Sequence, residues 1–449
     1  MTNGERTTPQ AERKMSNGPG AQADSFLMRP GHGIVLIALI LLVFGVVMVN
    51  SAGLTVKPDA SLLASGAITQ AQFDRWERSY RPISMESVLL GRTTILAGLA
   101  LLAMFIGSRV PVERLYRLRG FASPVPWLLI AMVVLLLLVH VPGIGRSANN
   151  SARWIGSPQY GFQPSELAKW AMLFVVAWHC CRRGGVLTNF LHGFVPPMLA
   201  IGVICALIAN EDLGTAVLIF AVCTFMLLAA GVRWWHAGLL IPAGLVAAWG
   251  LILVSPYRMN RLLAWRNPFE DPQGIGYHII QSMSAISGGG LLGRGLGNSM
   301  QKFGYLPEDT TDFIYAIICE ELGLVGALSV LLLYAGLIYC GLRIINRTRV
   351  AADGAVESMV PRFSQLFGLG ILLTIGMQAL INVTVVTGIA PTKGIALPLL
   401  SSGGSGWVLT AFSLGLLLAI ERQTRAMEQG VVEAPPLNER APLLLPAGS

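Results

Sequence analysis

Carboxylates are costly inside hydrocarbon, and this chain places several where they could do chemistry. Asp312 stands in Leu306-Pro307-Glu308-Asp309-Thr310-Thr311-Asp312-Phe313, where a long hydrophilic stretch meets an apolar run, and Glu320 and Glu321 follow inside that run. Three acids at one helix entrance, in a mostly apolar chain, point to chemistry at a membrane surface. Read as one helix, Asp312, Ala316 and Glu320 share a face, with Glu320 about 12 Å deeper than Asp312 and Glu321 turned about 100° away. The structural alternative for Asp312 is a plain helix cap.

Other charges have the same double reading. Asp212, in Asn210-Glu211-Asp212-Leu213-Gly214-Thr215, can cap a helix or face a ligand, and can do both. Glu166 and Lys169 follow Gln163-Pro164-Ser165 at a spacing that pairs them on one helix face, which makes a structural ion pair the primary expectation and a site role secondary. Trp154 suits a membrane interface, and the adjacent Arg153 suits an anionic headgroup. The stretch Pro391-Thr392-Lys393-Gly394-Ile395-Ala396-Leu397-Pro398-Leu399-Leu400-Ser401-Ser402-Gly403-Gly404-Ser405-Gly406 mixes prolines and glycines with apolar residues. That pattern suggests a re-entrant turn, tolerated only where protein or water covers the backbone. Arg153, Arg261, Arg294 and Lys393 could together present cations to a phosphate-bearing lipid.

The elements that must hold these residues are membrane helices. The chain has 449 residues, 53% hydrophobic and only 12% charged, with a mean hydropathy of +0.62. A soluble domain carries roughly 25% charged residues. An all-α polytopic membrane protein is expected, with about ten transmembrane helices near 33–52, 88–106, 126–143, 164–181, 194–210, 213–231, 235–254, 313–342, 363–386 and 404–420. Residues 1–30 and 423–449 read as disordered cytoplasmic tails around a membrane domain at 31–422. The first apolar run reads as a retained span, not a cleaved leader.

Arginines between and after alternate spans (Arg109, Arg114, Arg117, Arg119, Arg182, Arg183, Arg233, Arg343, Arg347, Arg349, Arg422, Arg425) all fall on one side, which makes both termini cytoplasmic. The net charge of +8 therefore reflects topology and anionic lipid, not nucleic acid. The six cysteines lie in or beside apolar runs, with neither disulfide nor zinc spacing.

The unusual sequence is concentrated on the other side, in a large extracytoplasmic loop at 255–311 between helices seven and eight. It carries Asn267-Pro268-Phe269-Glu270-Asp271-Pro272, then Gly274, Gly276, Tyr277, His278 and Gln281, then Gly288-Gly289-Gly290 and Gly293-Arg294-Gly295-Leu296-Gly297. It is too apolar for disorder, and Ile279–Ile286 could form a short interfacial or re-entrant helix. The glycines lack the strand and βαβ context of a nucleotide fingerprint, so turns and close backbone approach to a ligand explain them better.

In order and spacing, these strings resemble the SEDS (shape, elongation, division, sporulation) family of FtsW, RodA and SpoVE proteins. The resemblance runs from about Asn50 to Glu421. It is carried by Arg153-Trp154-Ile155-Gly156, Gln163-Pro164-Ser165-Glu166-Leu167-Ala168-Lys169, Asp212-Leu213-Gly214-Thr215, Asn267-Pro268, Asp271-Pro272, Gly276-Tyr277-His278, Gln281-Ser282, Leu306-Pro307-Glu308, Thr311-Asp312-Phe313-Ile314 and Glu320-Glu321-Leu322-Gly323. Pro391-Thr392-Lys393-Gly394 and Gly297-Asn298-Ser299 with Gln301-Lys302 look closer to the FtsW cell-division branch. Ser402 stands where the family usually has an aromatic, and Asp309-Thr310 replaces a pair that often carries a basic residue or histidine.

The resemblance implies a peptidoglycan glycosyltransferase that polymerises lipid II at the outer face of the bacterial cytoplasmic membrane, with a septal role. Asp312 would be the general base, and Arg153, Trp154, Glu166, Lys169, Asp212, Arg261, His278, Gln281, Glu320, Lys393 and Ser401 would line the substrate site. Implied partners are lipid II, an undecaprenyl-pyrophosphate-linked glycan, a class B penicillin-binding protein transpeptidase and other divisome proteins. No cofactor is certain; a divalent cation, Mg or Mn, could assist the leaving pyrophosphate, with its ligands left open. The competing readings are a lipid II flippase, an elongation-type polymerase and a scaffold for a transpeptidase. No inverted repeat is evident and the motifs cluster on one side, which places transport second.

Overall fold

The computed structural model describes residues 29–53, 70, 74, 90–148, 151–157, 161–301, 310–354, 359–402 and 404–429. Its main helices are α1 (Pro30–Ala52), α2 (Arg92–Arg109), α3 (Pro124–Leu138), α4 (Pro164–Arg182), α5 (Val195–Ala209), α6 (Leu213–Ala229), α7 (Trp234–Val254), α8 (Pro256–Arg266), α9 (Tyr277–Gly289), α10 (Ile314–Gly354), α11 (Met359–Val386) and α12 (Ser405–Glu428). Each expected span overlaps one of these helices over part of its described length. Among the described residues, seven helices are long and apolar enough to cross a membrane, and α3 and α6 are shorter apolar helices.

Some expectations fall outside the described residues. They are most of both tails, most of the loop at 53–87, Lys302, Gly403 and the string Leu306-Pro307-Glu308-Asp309. The final helix runs to Glu428, beyond the boundary expected at 422. Its last turns are tied back by an Arg425–Glu421 ion pair and by the Thr424 hydroxyl against that of Thr348.

The bundle has two chemically distinct ends. At one, Arg182 donates to the carbonyls of Tyr116, Arg117 and Leu118, and Arg422 donates to that of Arg109. The other, here the mouth, carries Asp312, α8, α9 and a small antiparallel hairpin of β1 (Gly145–Ala148) and β2 (Ser151–Ile155). Among the described residues, that hairpin and an isolated Ile155–Phe162 bridge depart from an all-helical reading. The hairpin is pinned by Glu211, which accepts from the Ser151 hydroxyl and the Ala152 N–H.

The continuous span expected from Asp312 is broken. Gly323 has φ 65° and ψ −160°, so Ile314–Leu322 is a short buried helix set apart from the long one that follows. A break inside a helix orphans donors on one side and acceptors on the other. The glycine-rich segment satisfies both sets. Arg294 and Gly295 N–H groups donate to the Glu320 and Glu321 carbonyls, and the Gly290 and Leu291 carbonyls accept from Leu324 and Val325. A Cβ on Gly289 would collide with the Cys319 carbonyl, and one on Gly293 with that of Glu321. At Gly289 and Gly293 the close approach is to the backbone of α10.

The break also corrects the expected depth of the acids. Glu321 accepts from the hydroxyl of Ser51, one residue before the mouth end of α1. The Asp312 carbonyl instead accepts from Asn382, a turn before the end of α11. Glu320 is thus not set a helix's depth below Asp312, because Asp312 lies in the turn ahead of the helix and the adjacent Glu321 reaches the mouth end of α1.

Gly293→Ala adds a Cβ at φ 79° against backbone, so strain and overpacking together are expected to cost about 2–4 kcal/mol. Its apparent melting temperature in detergent should fall by several degrees. Gly98→Ala, a helical position with open space around it, should leave that temperature unchanged or raised.

Candidate functional site

The expected re-entrant turn is present between α11 and α12. Residues 391–402 leave the mouth, dip into the bundle and return without regular structure. The carbonyls of Leu399 and Leu400 lie against Gly45, where a Cβ would meet them at 2.9 and 3.0 Å. Gly45 is seven residues before the end of α1, which is about 10 Å along the helix. The Tyr334 hydroxyl donates to the Pro398 carbonyl. Leu399 has φ 60°, the one positive value at a non-glycine among the described residues. Strain of this kind persists only where the surroundings over-determine it.

Polar side chains from two helices hold this backbone. Lys169 is 2% exposed and its Nζ bonds Glu166 at 2.8 and 3.0 Å and Gln378 Oε1 at 2.8 Å. Gln378 Nε2 then donates to the Ala396 carbonyl at 2.7 Å. One turn along α11, Asn382 Nδ2 donates to the Ile395 carbonyl at 2.7 Å and to the Asp312 carbonyl at 2.8 Å. The expected Glu166–Lys169 ion pair is therefore found, and its function is to orient an amide that carries the loop. Buried ions need pairing of this kind, since neither tolerates low dielectric alone.

Asp312 is half-buried at the point where three segments meet. A Cβ on Gly394 would lie 2.6 Å from its Oδ2, so the carboxylate is lodged against the loop backbone beside Lys393. His278 stacks on Phe313 with ring centroids 6.0 Å apart. Gln281 follows one turn later on α9 and is half-buried. Ser402 N–H donates to the Thr310 carbonyl at 2.9 Å, tying the loop's return arm to the turn that carries Asp312.

Beyond Lys393 lies a basic cluster. Asp212 caps α6 through Thr215, whose N–H and hydroxyl it accepts at 3.0 and 2.8 Å. Its other face meets Arg153 at 3.9 Å. Ile395 packs over Gly214, which brings the loop to the same helix end. Arg261 donates to the Thr392 carbonyl at 3.3 Å. Arg258 spans the carbonyls of Leu251, Ala209 and Asn210. Burial pushes the Lys393 ammonium below the usual lysine range, the Asp212 carboxylate opposes that shift, and Arg258 and Arg261 add to it. Trp154 lies over Gly161 at the edge of this cluster.

Three expectations about the site change. Arg294 does not join the cations; its Nη1 pairs with Glu320 at 3.2 Å and its Nε donates to Gly288. Arg258 takes the fourth place. Glu320 is 1% exposed and accepts from the Ser299 hydroxyl and from Met300 and Gln301 N–H, so its contacts hold the loop ahead of Asp312 and do not face a substrate. Ser401 is fully buried, with its Oγ accepting from Leu397 N–H inside the re-entrant turn. Its contribution is to close that turn. Gln378 and Asn382 were not anticipated, although amides four residues apart in an apolar helix are themselves a signal.

Among the described residues, no three His, Cys, Asp or Glu side chains converge on a point that could hold a metal ion.

A family model described as "Cell cycle protein", covering FtsW, RodA and SpoVE, matches residues 60–426. Stage V sporulation protein E of Bacillus subtilis is 36% identical over 397 residues, covering 87% of this chain and 97% of its own. A probable peptidoglycan glycosyltransferase FtsW from Geobacter sp. (strain M18) is 37% identical over 397 residues, with 87% and 96% covered. A chain from a solved peptidoglycan synthase complex, studied for the structural coordination of polymerization and crosslinking, aligns with TM-score 0.62 and 26% identity over 88% of this chain and 98% of its own. Thermus thermophilus RodA aligns with TM-score 0.56 and 24% identity over 87% and 96%, a likeness of fold.

Lys393 supplies a pH test. A lysine whose folded pKa is lowered binds its proton less well in the folded protein, so stability rises with pH between that value and the unfolded one. The same group loses its charge earlier than an ordinary lysine as pH rises, and the mouth loses a cation. Affinity of the mouth for inorganic pyrophosphate should therefore weaken on the alkaline side at a lower pH in the wild type than in Lys393→Arg, whose guanidinium stays charged. Titrating binding against pH for both proteins checks this.

Proposed function

The chain belongs to the FtsW, RodA and SpoVE family of cell cycle proteins, and we propose that it polymerises lipid II at the outer face of the bacterial cytoplasmic membrane with Asp312 as general base. It is a polytopic membrane enzyme, a peptidoglycan glycosyltransferase. The reading is carried by one observation: the Asp312 carboxylate is lodged against Gly394, next to Lys393 and the cluster of Arg153, Arg258 and Arg261. An acid to receive a proton and cations to receive a pyrophosphate thus reach one short backbone segment.

The donor is a glycan strand on undecaprenyl pyrophosphate and the acceptor is lipid II. The acceptor's sugar 4-hydroxyl attacks the donor's anomeric carbon, its proton passes to the Asp312 carboxylate, and the glycosidic bond forms as the bond to pyrophosphate breaks. Positive groups aimed at the departing pyrophosphate lower the barrier because they meet charge where it develops. Arg153, Arg261 and Lys393 suit that role, while Arg258, bound to three carbonyls, supplies field more than direct contact. No nucleotide is needed, since the energy of transfer resides in the donor's pyrophosphate linkage.

The positive-inside reading supports cytoplasmic termini and an outward-facing mouth. The FtsW-like strings and the FtsW names of several relatives support a septal site of action, beside a class B penicillin-binding protein. That partnership also agrees with the solved peptidoglycan synthase complex.

Asp312→Asn keeps the shape of the side chain and removes the base. Reconstituted with lipid II, it should lose polymerisation by 10²-fold or more, within the usual range of about 10²–10⁴ for general-base catalysis. Expression and thermal stability should stay near wild type. Retained polymerisation would exclude Asp312 as the base.

Glu166→Gln leaves the Lys169 ammonium buried and short of its counter-ion, at an expected cost of about 3–5 kcal/mol. The variant should be less thermostable and lose activity, with Glu166→Gln/Lys169→Met recovering stability more than activity. Thermal unfolding and polymerisation of the single and double variants, measured side by side, check both parts.

A further inference from the structure

We infer that Asn382 is a positioning residue for glycosyl transfer: its single amide nitrogen bonds both the carbonyl of Asp312 and the carbonyl of Ile395, and so sets the distance from the base to the cationic loop. The inference rests on Asp312 being that base.

Two chain segments far apart in sequence must be held in register for the proposed reaction. One is the turn that ends at Asp312; the other is the loop that carries Lys393 and Gly394. Asn382 is 1% exposed and lies between them, with Nδ2 at 2.8 Å from Asp312 O and 2.7 Å from Ile395 O. An amide NH₂ has two hydrogens, and here each has its own acceptor. The orientation of the amide follows from chemistry, because the reverse rotamer would set Oδ1 against two carbonyl oxygens. Oδ1 has no hydrogen-bond partner and is buried. A buried acceptor left unmatched is costly, so the side chain is retained for its donors.

The neighbouring amide does a different job. Gln378 bonds only the Ala396 carbonyl and is itself oriented by Lys169, so it holds the loop but not the Asp312 turn. The Asn382 side chain touches both backbones. Bridging of this kind bears on the reaction geometry directly, since a displacement near 1 Å can reduce a rate about 10²-fold.

The test uses full-length protein reconstituted with lipid II. Asn382→Leu has similar volume and no donor. It should lower kcat about 10–100-fold with KM for lipid II within threefold, because the cations stay in place while the base drifts. Asn382→Asp adds a readout that simple loosening would not move. As a carboxylate it faces two carbonyl oxygens, but as a neutral acid it can donate to one of them, and burial among acceptors favours the neutral form. Its activity relative to wild type should therefore rise as pH falls.

An Asn382→Leu kcat within threefold of wild type would overturn the inference. So would an Asn382→Asp to wild-type ratio that is flat with pH. Asp312→Asn run in parallel separates the two levels. If it is active, the base assignment fails and takes this inference with it. If it is inactive while Asn382→Leu matches wild type, only the role of Asn382 falls.

Discussion

The mouth depends on satisfying irregular backbone inside a low-dielectric bundle. A non-helical segment at membrane depth carries carbonyl and N–H groups that no lipid can hydrogen-bond, so it persists only where protein supplies partners. Here residues 391–402 obtain theirs from α11, from Tyr334 and from the loop's own Ser401. Gln378 in turn is aimed by Lys169, whose Nζ is paired with Glu166. An ion pair deep in the bundle thereby determines where a backbone loop lies, and the loop determines what Asp312 faces.

A second constraint is electrostatic. A general base works best close to the proton it takes, yet the leaving pyrophosphate needs cations, and a carboxylate in direct contact with those cations would be a poor base. Both sets of groups reach the same short loop. Asp312 lies on the Gly394 side, while Arg153 pairs with Asp212, which also caps α6 and helps keep Lys393 charged. At Gly394 a side chain would occupy the space of the Asp312 carboxylate.

Much of this was readable from residue types. Apolar length located the helices, the proline–glycine pattern located the re-entrant turn, and i,i+3 spacing paired Glu166 with Lys169. What was not readable depended on contacts between distant segments. The helical period set Glu320 below Asp312 because nothing local marks Gly323 as a break; the glycine-rich segment that bonds across it lies some thirty residues earlier in the chain. Arg294 read as a loop cation, and Arg258 was not singled out. Their roles diverge only because Glu320 claims the first and the end of α5 the second. Gln378 and Asn382 were passed over inside a span recognised only by its hydropathy.

The most direct measurement is a cryo-EM structure of the inactive Asp312→Asn protein in lipid, bound to a donor strand and to lipid II. The account predicts pyrophosphate density against Arg153, Arg261 and Lys393, with the acceptor's 4-hydroxyl within about 2.6–3.2 Å of the residue 312 side chain. Pyrophosphate bound away from that cluster, with residue 312 facing no sugar hydroxyl, would contradict it.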